Sequence, residues 1–137
     1  MPFTTTTQVR FADVDPAGIV FYPRYFEMLN AAVEDWFAAD LGMTFHQMHL
    51  VERIGVPTVK LDVSFVSPSR LGDVLDITLT VAQVGRSSCH VTAVFSGAGQ
   101  ERLQADVVLV CMDLNEHRAI AWPDRIRENL TACLTPG

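Results

Sequence analysis

The stretch Asp13-Val14-Asp15-Pro16-Ala17-Gly18-Ile19-Val20-Phe21-Tyr22-Pro23 decides how the chain is read, because a strand-like run enters it and a helix-like run leaves it. Upstream, from about Thr5 to Ala12, Thr, Val and Phe alternate weakly with other residues, which predicts a first strand. Downstream, Pro23 suits the first position of a helix, and Phe26, Leu29, Val33, Trp36 and Phe37 recur at helical spacing. The helix is expected from Pro23 to about Asp40, with Gly42 as its stop. Met28, Ala31 and Ala32 widen the apolar stripe until only Arg24, Glu27, Glu34 and Asp35 form a polar side. A helix of that kind is mostly wrapped by other structure.

Beyond the helix, Met43 to Glu52 has no clear period and reads as a loop or short helix able to border a pocket. After Gly55 the period changes to two. Val59, Leu61, Val63 and Phe65 alternate with Lys60, Asp62 and Ser64, and Leu75, Ile77, Leu79 and Val81 share a second phase that leaves Val74 outside it. Turns at Ser67 to Asp73, Gly85 to Ser88 and Gly97 to Gly99 separate these runs from two more, Cys89 to Ser96 and about Arg102 to Leu114. Short connections favour antiparallel neighbours, so the chain reads as a two-layer α+β domain with its sheet curled around the helix. Val107 to Met112 is apolar at nearly every position, so both faces of that strand should be covered, one by the helix and the other by a second subunit. Trp122 to Cys133 reads as a terminal amphipathic helix with Ile126, Leu130 and Cys133 on one side.

The chain's 137 residues, 49% apolar and 19% charged, suffice for one hydrophobic core, and a single domain spanning 1–137 is expected. A net charge of -6 disfavours nucleic acid as a partner. Met1-Pro2-Phe3 followed by four Thr has no basic or apolar leader, and no apolar run approaches the roughly 18 residues of a membrane span. Three scattered cysteines, Cys89, Cys111 and Cys133, suit buried free thiols better than a disulfide or Cys-x-x-Cys framework. A cytoplasmic protein with no membrane contact is therefore expected.

The segment from Asp13 to Pro23 also holds the densest cluster of residues suited to chemistry. A helix N-terminus carries unpaired N–H groups and about half a positive charge, which stabilise a carboxylate or an oxyanion forming on a carbonyl. Pro23 has no N–H, so Tyr22 and the residues after Pro23 must supply the donors. A carboxylate beside such donors can attack an acyl group or deprotonate water, and Asp15 is the candidate; Asp13 and Asp15 also suit an ordinary turn. A calcium loop fits poorly, because Ala17 and Arg24 stand where ligands belong. His46 and His49 are three apart but lack a third ligand, so no metal is expected.

The continuous stretch from Val9 through Arg10-Phe11-Ala12-Asp13-Val14-Asp15-Pro16-Ala17-Gly18-Ile19-Val20-Phe21-Tyr22-Pro23 to Phe26 closely resembles the N-terminal signature of the 4-hydroxybenzoyl-CoA thioesterase family. The resemblance extends more loosely to Trp122-Pro123. It implies a hot-dog fold, in which a five-stranded antiparallel sheet wraps one long helix. By the same resemblance Asp15 matches the catalytic carboxylate, as nucleophile or general base. Tyr22 matches the residue whose backbone N–H polarises the thioester carbonyl. Gly18 matches a turn position that lets the backbone pass close to the acyl group, and Phe21 sits beside the pocket. The family's dimers or tetramers place the site at a subunit interface, so a homo-oligomer is expected, with acyl-CoA or an acyl-carrier-protein thioester as substrate and no cofactor.

Two positions depart from the family pattern. Asn30 stands where the hydroxybenzoyl enzymes carry an Asp that meets the substrate's phenol; it is either a pocket residue or a packing residue of the helix. Gly85-Arg86-Ser87-Ser88 keeps one member of a basic run that faces the CoA phosphates. Arg86 with Ser87 can still hold a phosphate, although the turn equally suits a surface hairpin, and Arg70 is a second candidate. The activity implied is hydrolysis of an aromatic or short-chain acyl-CoA. The rivals are a hot-dog hydratase or dehydratase, which needs a His that the Asp15 to Tyr22 segment lacks, and a noncatalytic acyl-thioester binding module.

Overall fold

The computed structural model describes residues 2–134, which leaves Met1 and residues 135–137 of the expected 1–137 domain outside the described part. Strand β1 (Phe3–Gln8) precedes helix α1 (Pro23–Trp36), and four further long segments follow after a short strand β2 (Ile54–Gly55). These are β3 (Thr58–Phe65), β4 (Val74–Val84), β5 (Ser88–Gly97) and β6 (Gln100–Val110). They form one antiparallel five-stranded sheet in the order β1-β4-β5-β6-β3. With α1 against its concave face, this is the α+β hot-dog arrangement.

The apolar spacing of α1 buries Tyr25, Leu29, Ala32, Val33 and Trp36. Phe37–Leu41 continues it as a wider turn up to Gly42, whose φ of +81° lets the backbone leave the helix. Opposite, Leu75, Ile77, Leu79 and Val81 of β4 are buried and Val74 is exposed, as the two phases require. Tyr25 meets Phe95 of β5 edge to face, with ring centroids 5.6 Å apart. The terminal helix α2 (Asp124–Ala132) closes the open end of the core with Ile126 and Leu130, both fully buried.

Several boundaries differ from the sequence reading. The first strand stops at Gln8, because the Asp13 carboxylate accepts the Arg10 N–H at 2.8 Å and folds Phe11–Asp13 into a single 3-10 turn. The last long run divides. After Val110 the chain leaves the main sheet, and β7 (Met112–Asp113) pairs with β2 and with β8 (Arg118–Ala119) in a small second sheet. The unpatterned segment after Gly42 contains one helical turn, Gln47–Val51, which buries Met48.

The apolar phase of β3 does face the core side, since Leu61, Val63 and Phe65 sit opposite the buried Val107, Ala105 and Leu103 of β6. Yet Val59, Leu61 and Phe65 are exposed, even though Tyr25 of α1 reaches Phe65 with ring centroids 6.2 Å apart. Along β6 and beyond, Val107, Leu109 and Cys111 are buried while Val108, Val110 and Met112 are only half covered. One copy of the chain therefore supplies one of the two covers expected for this run.

Candidate active site

The loop ahead of α1 is a tight hairpin. Asp15 N donates to Ile19 O and Gly18 N to Asp15 O, each at 2.9 Å, and Val14 bridges Val20. Pro16-Ala17-Gly18 is thus a three-residue connection whose last member takes φ +79°, the left-handed position such loops require. Phe21 N closes the base of the hairpin on Asp13 O at 2.9 Å. The two carboxylates have separate tasks: Asp13 caps the preceding turn, while Asp15 holds only the Ala17 N–H, through Oδ1 at 2.9 Å. Oδ2 of Asp15 has no partner among the described residues. Half-buried, Asp15 lines a recess of about 280 Å³ with Val14, Pro16, Phe21 and Arg24.

At the helix start the donor accounting singles out one group. Arg24 N donates to Phe21 O at 2.8 Å and Tyr25 N to Tyr22 O at 3.2 Å, Phe21 N is used by Asp13, and Pro23 has no N–H. Tyr22 N–H has no partner among the described residues, so it is the amide left to the positive end of α1. Tyr22 lines a second, more apolar recess of about 280 Å³ with Ile19, Val20, Tyr25 and Phe65. The exposed rings of Phe21 and Tyr22 stand edge to face at 5.6 Å, and Tyr22 meets Phe65 at 6.2 Å.

The remaining candidates lie elsewhere. Asn30 is exposed and lines a larger cavity of about 610 Å³ between α1 and the start of β3, bounded by Ala31, Phe45, Val56 and Pro57, with Glu27 and Glu34 on its rim. Arg86 and Ser87 sit at the turn beyond Val84, a strand's length from the Asp15 loop, about 34 Å along the 11 residues of β4 at 3.4 Å per step. Their carbonyls point inward: Arg86 O accepts Trp122 N at 3.0 Å and the Arg127 guanidinium at 2.6 Å, and Ser87 O accepts Cys111 N at 2.7 Å. The Arg86 side chain stays exposed. One copy thus brings Asp15, Gly18, Phe21 and Tyr22 together, and separates Asn30, Arg86 and Ser87 from them. Two cations flank the loop, Arg70, bridged to Ile19, and Arg24, in the recess of Asp15.

Other chemistry is poorly served. Burial pushes the Cys89 thiol up to about 12 and Cys111 to about 11, so neither supplies a thiolate near neutral pH. His49 turns Nδ1 to Phe45 O at 2.9 Å, and among the described residues no three potential metal ligands cluster. The sequence reading missed Arg102 and Ser69, the buried polar residues among those described. Arg102 hides in a strand-like run, and only its being charged where β6 meets the core distinguishes it.

The family model described as thioesterase-like superfamily matches residues 9–130. The 1,4-dihydroxy-2-naphthoyl-CoA hydrolase of Synechocystis is 28% identical over 123 residues, covering 88% of each chain. The 4-hydroxybenzoyl-CoA thioesterase of a Pseudomonas is 36% identical over 87 residues, 62% of this chain and 61% of its own. Among solved structures, an Asp-to-Asn mutant of 4-hydroxybenzoyl-CoA thioesterase complexed with 4-hydroxybenzoyl-CoA superposes with a TM-score of 0.84 at 29% identity, over 96% of this chain and 98% of that one.

Proposed function

This chain belongs to the thioesterase-like superfamily, and from that premise we propose that it hydrolyses acyl-CoA thioesters, with Asp15 as nucleophile or general base and Tyr22 N–H as the donor to the carbonyl oxygen. The observation that carries this is that one short hairpin and the helix start that follows it hold an amide, Tyr22 N–H, and a carboxylate oxygen, Asp15 Oδ2, both without a partner among the described residues. As the thioester carbon becomes tetrahedral, the negative charge on its oxygen meets the Tyr22 N–H and the helix dipole. In the nucleophilic route Asp15 bonds to that carbon as the C–S bond breaks, CoA leaves as thiolate and is protonated by solvent, and water then cleaves the mixed anhydride to free acid and Asp15. In the general-base route Asp15 takes a proton from the water that attacks the carbon directly, and the C–S bond breaks to give the same products. Label appearing in the Asp15 carboxylate after a single turnover in oxygen-18 water distinguishes the nucleophilic route.

The acyl group is an aromatic or short-chain one, by analogy with the relatives named for 1,4-dihydroxy-2-naphthoyl-CoA and 4-hydroxybenzoyl-CoA. Asn30 and Phe21 bind it, and Arg86 with Ser87 binds the phosphates of CoA. Because these groups are apart in one copy, the working unit is a homo-oligomer, a dimer or tetramer of single domains. The uncovered apolar residues Val59, Leu61, Phe65 and Val66 support this. The enzyme acts in the cytoplasm; no helix among the described residues is long and apolar enough to cross a membrane.

Free-thiol release from benzoyl-, 4-hydroxybenzoyl-, phenylacetyl- and short aliphatic acyl-CoA tests the reading, run beside Asp15→Asn. Asparagine keeps the oxygen that accepts the Ala17 N–H, so the variant should fold while losing about 10²- to 10⁴-fold in turnover. Wild-type turnover in Asp15→Asn would overturn the mechanism. Tight binding of CoA esters without turnover by the parent points to a carrier-protein substrate or a binding module.

A further inference from the structure

The residues that hold the catalytic hairpin in place converge on one buried cation. Arg102 is 5% exposed and is the extra residue of a β-bulge: Leu103 opposes Phe95 and Glu101 opposes Ser96, so Arg102 has no partner on β5 and turns inward. Its Nη1 donates to Pro68 O at 3.1 Å, Ser69 Oγ at 3.3 Å and Asp73 Oδ2 at 2.8 Å, and its Nη2 to Gly97 O at 3.0 Å. Its carbonyl accepts Val66 N at 2.9 Å and Ser67 N at 3.2 Å. The 66–73 segment is thereby tied mainly to Arg102 of β6, with Ser67 Oγ donating to the adjacent Glu101 O at 2.7 Å as a further bond.

The same segment is the surface on which the hairpin lies. Val20 N donates to Ser69 O at 2.9 Å, Leu71 N donates to Gly18 O at 3.1 Å, and Ile19 bridges Arg70. The preceding chain is fixed there too, through Val9 N to Asp73 O at 2.8 Å and Gly72 N to Val9 O at 2.9 Å. Every hydrogen bond between this segment and the hairpin therefore falls between Gly18 and Val20, the stretch that sets how Asp15 and the Tyr22 N–H face each other. Burying an Arg against a half-buried carboxylate is a weak source of stability compared with apolar packing, and Nε has no acceptor among the described residues. Stability alone is a weak reason for such an arrangement, whereas a planar fork that fixes several acceptors at once sets geometry.

We propose that Arg102 is a positioning residue for hydrolysis: through Ser69 and the 66–73 segment it sets the placement of Asp15 and the Tyr22 N–H without touching the substrate. This rests on the reading of Asp15 and Tyr22 as the reacting groups. A displacement of about 1 Å in such a pair costs on the order of 10²-fold in rate. Lysine at 102 keeps the charge but loses the fork.

The test compares Arg102→Lys, Asp73→Asn and Ser69→Ala with the parent and with Asp15→Asn, each checked for oligomeric state and Tm. For Arg102→Lys, kcat on the best substrate of the acyl-CoA panel should fall 10- to 100-fold with KM within about threefold. Ser69→Ala and Asp73→Asn should show smaller losses of the same kind. Amide hydrogen exchange at Val20 and Leu71 should speed up in all three, a readout that needs no substrate. A lower Tm with unchanged kcat and unchanged exchange at these amides would make Arg102 merely structural and overturn the inference. If Arg102→Lys does not fold, Ser69→Ala and Asp73→Asn decide by the same criteria. Full activity in Asp15→Asn instead sinks the mechanism, while an inactive Asp15→Asn beside fully active, normally exchanging Arg102→Lys, Asp73→Asn and Ser69→Ala sinks only the role of Arg102.

Discussion

Replacing Gly18 by alanine separates two reasons for a glycine at that position. At φ +79° an L-residue with a Cβ is strained by roughly 1–2 kcal/mol, yet a Cβ built there meets nothing within 4 Å. The protein itself therefore leaves room for the methyl group, and the cost lies in the backbone. Relaxing that strain means moving the loop, which gives up Gly18 N to Asp15 O and Leu71 N to Gly18 O, each worth about 1 kcal/mol net. Since the loss matches or exceeds the strain, the hairpin should keep its shape. Gly18→Ala should then lower Tm by roughly 3–8 °C, the range expected for about 1–2 kcal/mol in a chain of this size. Gly18→Asn should cost less, because Asn tolerates the left-handed region better. If the open space at Cβ is where the acyl group passes, both variants should also raise KM, and Gly18→Val should raise it more. Thermal melts and steady-state kinetics on the four proteins read both effects. Unchanged Tm and KM in Gly18→Ala would refute the backbone argument and the acyl contact together.

Three further outcomes follow from the geometry. Asn30→Asp places a carboxylate in the 610 Å³ cavity, so kcat/KM for 4-hydroxybenzoyl-CoA relative to benzoyl-CoA should rise several-fold, and an unchanged ratio would remove Asn30 from the pocket. The Arg102 hydrogen bond, then the Arg70 N–H, hold the Asp73 carboxyl below its usual value of 3.8, so its contribution to stability is present above about pH 4 and is lost as pH falls through the lowered value. In acid melts, the Tm gap between the parent and Asp73→Asn should accordingly be constant above pH 4 and shrink below it. Leu61→Lys sets a charge in the exposed apolar stripe of edge strand β3 and should shift the chain toward monomer in sedimentation while costing activity; an unchanged assembly would place the interface elsewhere.

What the sequence made legible follows the range of the forces involved. Helix α1 was readable because its determinants are local: Pro23 at its start, apolar residues every three or four positions, and a left-handed Gly42 at its end. The phases of β4 were readable for the same reason. The break after Val110 was not, because Val107 to Met112 is apolar throughout and carries no period; Met112 and Asp113 change sheets by pairing with Gly55 and Ile54, more than fifty residues away, and with Ala119 and Arg118. β3 shows the opposite case. Its alternation pointed to the correct face, but alternation states only that a face is meant to be covered, and the cover for Val59, Leu61 and Phe65 is absent from a single copy.

The candidate site divides along the same line. Asp15, Gly18, Phe21 and Tyr22 lie within eight consecutive residues, so one hairpin assembles them and a sequence motif can carry them. The motif does not separate the two carboxylates, and neither does hydrogen bonding, since each accepts one backbone N–H through one oxygen, Asp13 from Arg10 and Asp15 from Ala17; what sets Asp15 apart is the recess it lines with Phe21 and Arg24. Arg102 lies 82 residues beyond Val20, and its inward turn depends on a bulge created by pairing with β5, which no local pattern encodes. On the proposed reading, the site has a local part that supplies the reacting groups and a non-local part that sets the distance between them. Asp15→Asn should then cost about 10²- to 10⁴-fold in turnover, while substitutions in the non-local part should reduce it to a degree set by how far the hairpin shifts.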